Sequence, residues 1–249
     1  MLRRFTKTVA GFLGLFAAIL GVEIYLAYTR EYLPTEPALE LSGTFGPQDG
    51  EPLRFIVLGD STAAGLGAVT PRAAYASVLS ERLGERGYHV ELSSYGVSGA
   101  RVGDVADEQV PLAVEADPDL VFVGIGANDV THLTSLASVE RDMGDALDAL
   151  TGTGAVVVVA GPPDMRAAAW LEPLRSLAGW RGRLVADRIE QAAQERGILV
   201  VPLAELAGPY FESNPEDAYA ADGFHPGPGG YRAWADAIFP VLIDALGRR

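Results

Sequence analysis

Five short apolar runs set the strongest limit on what this chain can become. Residues 55–58, 89–93, 120–123, 155–160 and 198–201 are each of strand length, and most are apolar at consecutive rather than alternate positions. A strand with apolar side chains on both faces has to be covered on both faces. Between the runs lie segments with helical spacing. Tyr75, Val78, Leu79 and Leu83 repeat at three-to-four intervals and stop near Gly84 or Gly87. Residues 102–116, with a kink point at Pro111, residues 133–150, 183–196 and 230–246 read as further helices. Strand and helix in alternation predict an α/β fold with a five-stranded parallel sheet and helices on both faces. The composition does not break after residue 52, so residues 53–249 read as one domain. Open parallel sheets hold ligands beyond the carboxyl ends of their strands. Polar motifs that follow a strand are therefore where chemistry is expected.

The N-terminus is a different substance. Arg3, Arg4 and Lys7 precede an uncharged run from Thr8 to Val22, and Ile24 to Tyr28 follow a single Glu23. As a helix, residues 9–28 reach about 30 Å, the thickness of a bilayer core. Basic residues ahead of the run place that end in the cytoplasm and the body outside. A cleaved signal peptide has the same layout, but no small-x-small cleavage site stands out, because a cut after Ala27 leaves Tyr25 at the third position back. Residues 1–28 are read as an uncleaved anchor, with secretion after cleavage as the alternative. Residues 29–52, dotted with Pro34, Pro37, Gly43, Gly46, Pro47, Gly50 and Pro52, read as an extended linker that lifts the domain off the membrane.

Charge and cysteine narrow the chemistry. The formal net charge is −14. The basic residues near the anchor leave the body still more acidic, which disfavours nucleic acid as a partner and weakens long-range capture of anionic substrates. With no cysteine in the chain, disulfides, thiolate metal sites and cysteine nucleophiles are excluded.

Four motifs sit where the sheet rule puts chemistry. Gly59-Asp60-Ser61-Thr62 follows the first run, and Asp60 or Ser61 there could equally be a helix cap. Val97-Ser98-Gly99-Ala100 follows the second, where Gly99 offers a backbone N–H to a ligand or merely makes a turn. Gly124-Ile125-Gly126-Ala127-Asn128-Asp129 follows the third. Asn128 can donate to a developing oxyanion, or the motif can be an Asx turn. A dinucleotide fingerprint fails because Asp129 stands where the third glycine belongs, and with Lys7 as the only lysine there is no P-loop. Asp222-Gly223-Phe224-His225-Pro226 precedes the last helix. A carboxylate three residues before one of only three histidines can orient the ring and stabilise the imidazolium, as a general base requires. Alone, each motif has a bland reading. Together they arrive in order at successive strand ends or before the closing helix.

On these residues the chain resembles the SGNH, or GDSL-type, hydrolases. Ser61 matches the family's nucleophile, Gly99 its second-block glycine, Asn128 its third-block asparagine, and Asp222 and His225 its last block. Pro226, Gly230 and Tyr231 also follow the usual pattern, whereas Thr62 stands where leucine is typical. The match runs from about Phe55 to the C-terminus. It implies a flavodoxin-like three-layer α/β/α sandwich and hydrolysis of esters or thioesters of small molecules, lipids or acylated carbohydrates, with no metal or organic cofactor. Catalysis would fall to Ser61, His225 and Asp222, and the oxyanion hole to Ser61, Gly99 and Asn128. Transfer of the acyl group to another alcohol uses the same intermediate and stays open, as does a non-catalytic binding module of the same fold. A metal site from Asp60, Asp222 and His225 has no supporting ligand spacing. Asp60 and Asp129 read as turn-stabilising, His132 as a solvated helix-start residue, and His89 as a surface residue before a strand. The stretch 161–180, with Met165, Trp170, Leu171, Leu174, Leu177 and Trp180, reads as an amphipathic helix packed on the core, with an acyl pocket or a membrane-facing surface as the alternative.

Overall fold

The two parities of each central strand feed two separate cores, and that alternation builds the molecule in three layers. In this computed structural model, which describes residues 2–167 and 169–248, helix α1 (Leu2–Thr29) leads into β1 (Ser42–Phe45) and β2 (Glu51–Gly59). Next come α2 (Tyr75–Glu85), β3 (Tyr88–Ser94), α3 (Val102–Asp104), a π-helical turn (Val105–Gln109), α4 (Val110–Glu115) and β4 (Leu120–Gly124). The rest is α5 (Ala127–Thr131), α6 (Leu136–Thr151), β5 (Val156–Ala160), α7 (Leu174–Gln194), β6 (Leu199–Val201), α8 (Leu203–Ser213), α9 (Pro215–Ala218) and α10 (Pro228–Leu246). Ile56, Leu58, Val121, Val123, Val157 and Val159 pack with α4, α6 and α7 on one face. Phe55, Val57, Leu120, Phe122, Val158 and Ala160 pack with α2, α8 and α10 on the other. Phe55, Leu58, Leu120 and Phe122 are almost fully buried, each contributing about 1.5–3 kcal/mol through lost apolar exposure.

The sheet order is β1-β3-β2-β4-β5-β6. From β2 the chain goes outward one way to β3 and then crosses to β4 on the other side. The crevice between β2 and β4 is therefore the topological switch point, where open sheets place their ligands. Gly59 pairs with Gly124 across it. That contact requires glycine, because a Cβ on Gly59 would lie 2.2 Å from the Gly124 carbonyl oxygen.

Three features differ from the sequence reading. The five parallel strands are present, but a sixth, β1, is added antiparallel to β3 at the edge. It comes from residues 29–52, read from their proline and glycine content as linker; β2 also begins inside that segment, at Glu51. In the same segment, Arg30 and Leu33 bond to the Asp222 loop. Helix α7 starts at Leu174 rather than at 183. Gly179 and Gly182 argue against helix by propensity, but here they admit the neighbouring loop: a Cβ on them would sit 2.6 Å from Arg166 Cγ and 2.8 Å from Met165 Cγ. The expected kink at Pro111 is the π turn just before it, where Val110 N–H bonds to Val105 O, because proline cannot continue the regular ladder.

Candidate active site

Ser61 lies two residues beyond the end of β2, in the first turn after the Gly59–Gly124 contact. Its hydroxyl is 3.1 Å from His225 Nε2, and His225 Nδ1 is 2.6 Å from Asp222 Oδ2. All three side chains are nearly buried. The Asp222–His225 spacing works because the carboxylate folds back on its own loop. Asp222 Oδ1 accepts the N–H groups of Phe224 and His225, both at 3.0 Å, which leaves Oδ2 for the ring. Burial alone would raise the Asp222 pKa, but bonds from the His225 ring and from those two N–H groups outweigh it and hold it down at about 2. An ionised Asp222 fixes the tautomer with hydrogen on Nδ1, so Nε2 faces Ser61 as an acceptor.

The expected oxyanion donors border the same space. Gly99 has φ +87° and a Cβ there would meet nothing within 4 Å. That positive φ is a backbone conformation that glycine adopts without strain. Asn128 Nδ2 donates to Ala100 O at 3.0 Å, which orients the amide; its second amide hydrogen remains available. Ser61, Gly99, Asn128 and His225 all line one cavity of about 990 Å³. Met165, Trp170, Leu174, Leu177 and Trp180 line it as well; Met165 and Trp170 also belong to the core, so the stretch 161–180 is pocket wall and core packing together, while Leu171 is 63% exposed.

Residues outside the expected set hold these donors in place. Gln109 is 1% exposed and bonds reciprocally to the Gly59 backbone, its Nε2 donating to Gly59 O at 2.8 Å and its Oε1 accepting Gly59 N–H at 2.9 Å. Asp129 Oδ2 accepts Val102 N–H at 3.0 Å, locking the asparagine loop to the segment that follows Gly99. Burial raises the Asp129 pKa against that bond, and burial likewise raises that of Asp60. Asp60 Oδ1 accepts the Thr62 N–H at 2.9 Å and the Thr62 hydroxyl at 2.8 Å, so the threonine found in place of leucine braces the nucleophile turn. His132 caps α5 with its ring against Asn128 O at 2.9 Å and lines the cavity mouth, while His89 lies within β3 against Pro47 O. The signal for Gln109 was a polar residue in an otherwise apolar helix stripe. Nothing in the local sequence pairs it with Gly59.

Gln109→Leu should strand the Gly59 N–H in the core and cost about 1–3 kcal/mol. The check is the midpoint of chemical denaturation, and an unchanged midpoint would mean that the pair adds nothing to stability.

A hydroxyl, an imidazole and a carboxylate in file at the rim of a doubly wound sheet, in a cavity that Gly99 and Asn128 also line, form the arrangement that serine ester hydrolysis requires. Comparison with known proteins agrees with that class. The family model of the GDSL-like lipase/acylhydrolases matches residues 57–233, and the chain belongs to this family. A GDSL-like esterase of Mycobacterium tuberculosis is 34% identical over 200 residues, 78% of this chain, and the match spans 63% of that relative's length. Among solved structures, TesA superposes with a TM-score of 0.64 at 21% identity, covering 77% of this chain and 99% of that one. A lipase/acylhydrolase from Enterococcus faecalis gives 0.61 at 20%, covering 79% and 97%. At these identities the likeness is of fold.

Proposed function

We propose that this protein is a membrane-anchored serine ester hydrolase with its catalytic domain, residues 53–249 together with β1, on the extracytoplasmic side. The observation that carries the reading is the continuous file Ser61–His225–Asp222, at 3.1 and 2.6 Å, opening into a large apolar cavity. His225 takes the Ser61 proton as Oγ attacks the ester carbonyl. The Ser61 and Gly99 N–H groups and the Asn128 amide bind the oxyanion, and His225 then protonates the departing alcohol. Water, deprotonated by the same ring, releases the acid. The Mycobacterium tuberculosis relative, described as an esterase, supports the reaction class. The membrane side follows from Arg3, Arg4 and Lys7 ahead of the apolar stretch Gly11–Thr29.

The test uses the full chain in detergent with p-nitrophenyl esters from acetate to palmitate. A fluorophosphonate serves as a second probe. Ester turnover and labelling of Ser61 are expected. Folded protein that does neither removes the hydrolase reading. Asn128→Ala is expected to lower kcat by about 10²–10³ with KM little changed, the signature of a donor that acts only on the oxyanion. A rise in KM alone would assign Asn128 to ground-state binding.

A further inference from the structure

Helix α1 is both long enough to cross a membrane and part of the catalytic cavity, and the two roles constrain each other. Its stretch Gly11–Thr29 has 19 residues and a mean hydropathy of 1.8. Phe12, Leu13, Leu15 and Phe16 are exposed, as side chains that face lipid must be. The last two turns are still largely exposed, with Ile24 at 51% and Tyr28 at 88%, but one side of them meets the domain. Glu23 is only 7% exposed, and its carboxylate accepts the Leu174 N–H at 2.8 Å. As the first residue of α7, Leu174 has no acceptor for that N–H within its own helix. Leu20, Ile24, Ala27 and Tyr28 share one helical face and line the cavity that holds Ser61 and His225.

The chain beyond α1 fastens this arrangement to the catalytic loop. Tyr32 donates to Ala27 O at 3.1 Å and accepts Trp170 Nε1–H at 3.3 Å, while its ring meets Phe224 edge-on at 5.4 Å. Arg30 Nε donates to Asp222 O at 3.1 Å, and Leu33 N–H to Asp222 Oδ2 at 3.3 Å. With α1 as the proposed anchor, this seats the domain where the helix leaves the membrane. At the same cavity, Leu133, Leu177 and Trp180 are 74%, 38% and 54% exposed. Apolar side chains with a tryptophan, beside an emerging membrane helix, suit the lipid interface. A cavity of about 990 Å³ also far exceeds what a small acyl group fills, being at the upper end for sites that enclose whole ligands of drug size.

We propose that α1 is a wall of the substrate site. The acyl chain of a membrane-resident lipid ester reaches Ser61 from the bilayer along the Leu20–Ile24–Tyr28 face, and these side chains set acyl-chain preference. The proposal rests on the ester-hydrolase reading. The net charge of −14 favours esters with neutral or zwitterionic headgroups.

The test reconstitutes the full chain in phosphatidylcholine vesicles and reads the ratio of kcat/KM for p-nitrophenyl palmitate to that for p-nitrophenyl acetate. Ile24→Trp fills the wall and Ile24→Ala opens it. Val22→Trp, on the opposite side of the helix and 58% exposed, is the control. Ile24→Trp should lower the ratio about tenfold or more, the scale on which an apolar pocket discriminates chain length. Ile24→Ala should shift the ratio, and Val22→Trp should leave it unchanged. A ratio that moves in neither Ile24 variant, or moves equally with Val22→Trp, overturns the proposal while wild-type acetate hydrolysis keeps the esterase reading. Wild type inactive on both esters would instead remove the esterase reading itself.

Discussion

Ser61→Ala lowers kcat for p-nitrophenyl esters by about 10⁶ if the hydroxyl forms the acyl-enzyme, the scale seen when a nucleophile is removed from such a file. The change takes away one oxygen whose sole side-chain bond among the described residues is to His225. The turn itself is braced by Asp60 and Thr62 and by the Gln109 pair with Gly59, none of which the substitution touches. Folding should therefore survive, and circular dichroism separates loss of chemistry from loss of structure. Because Ser61 and His225 act as one unit, His225→Ala should cost about as much, and the double variant little more than either. Residual turnover above the uncatalysed rate is expected from the oxyanion donors alone. If Ser61→Ala retains activity within tenfold of wild type, the bond is broken by another group in the cavity and the acyl-enzyme scheme fails.

The file Ser61–His225–Asp222 was legible in the sequence because each member stands next to a strand end or helix start that apolar patterning reveals. Phe55 to Leu58 announces a buried strand, so Ser61 falls at a sheet rim by counting alone. Asp222 and His225 are close in sequence, and a turn through the two residues between them brings them together. The parts that were missed depend on long-range contacts. β1 is a short edge strand whose hydrogen bonds come from β3, and its proline- and glycine-rich flanks look like linker. Gln109 and Gly59 are far apart in the chain, and only the closed sheet makes them partners. Helix α7 hid its first turns because Gly179 and Gly182 lower helix propensity, although their role is to let Arg166 and Met165 pack closely. The involvement of α1 in the cavity was hidden for a similar reason. An apolar helix reads as a membrane span by composition, and composition does not say which face touches the domain.

Asp222→Asn should lower kcat by about 10⁴ with KM near its wild-type value. The shape is retained and Oδ1 can still accept the Phe224 and His225 N–H groups, but the second position now presents an amide N–H to His225 Nδ1. A donor there favours the tautomer with hydrogen on Nε2, which points a proton at Ser61 where a lone pair is required. The same amide also faces the Leu33 N–H, donor against donor, so the segment that leads from α1 loses its bond to the catalytic loop. The pH dependence of stability gives a second, independent reading. Asp222 titrates at about 2 in the folded protein against an ordinary 3.8. A depressed carboxylate contributes stability that is complete above about pH 4 and is lost as pH falls toward 2. The stability difference between wild type and Asp222→Asn should therefore be constant near neutrality and shrink across that acid window. A difference that stays constant down to pH 2 would show that the Asp222 carboxylate is no better stabilised in the folded protein than in the unfolded chain. Asp222 would still be ionised at neutral pH in that case, so what falls is the stabilisation of its charge by the His225 ring and the Phe224 and His225 N–H groups, while its role as the orienting acid stands or falls on the loss of kcat.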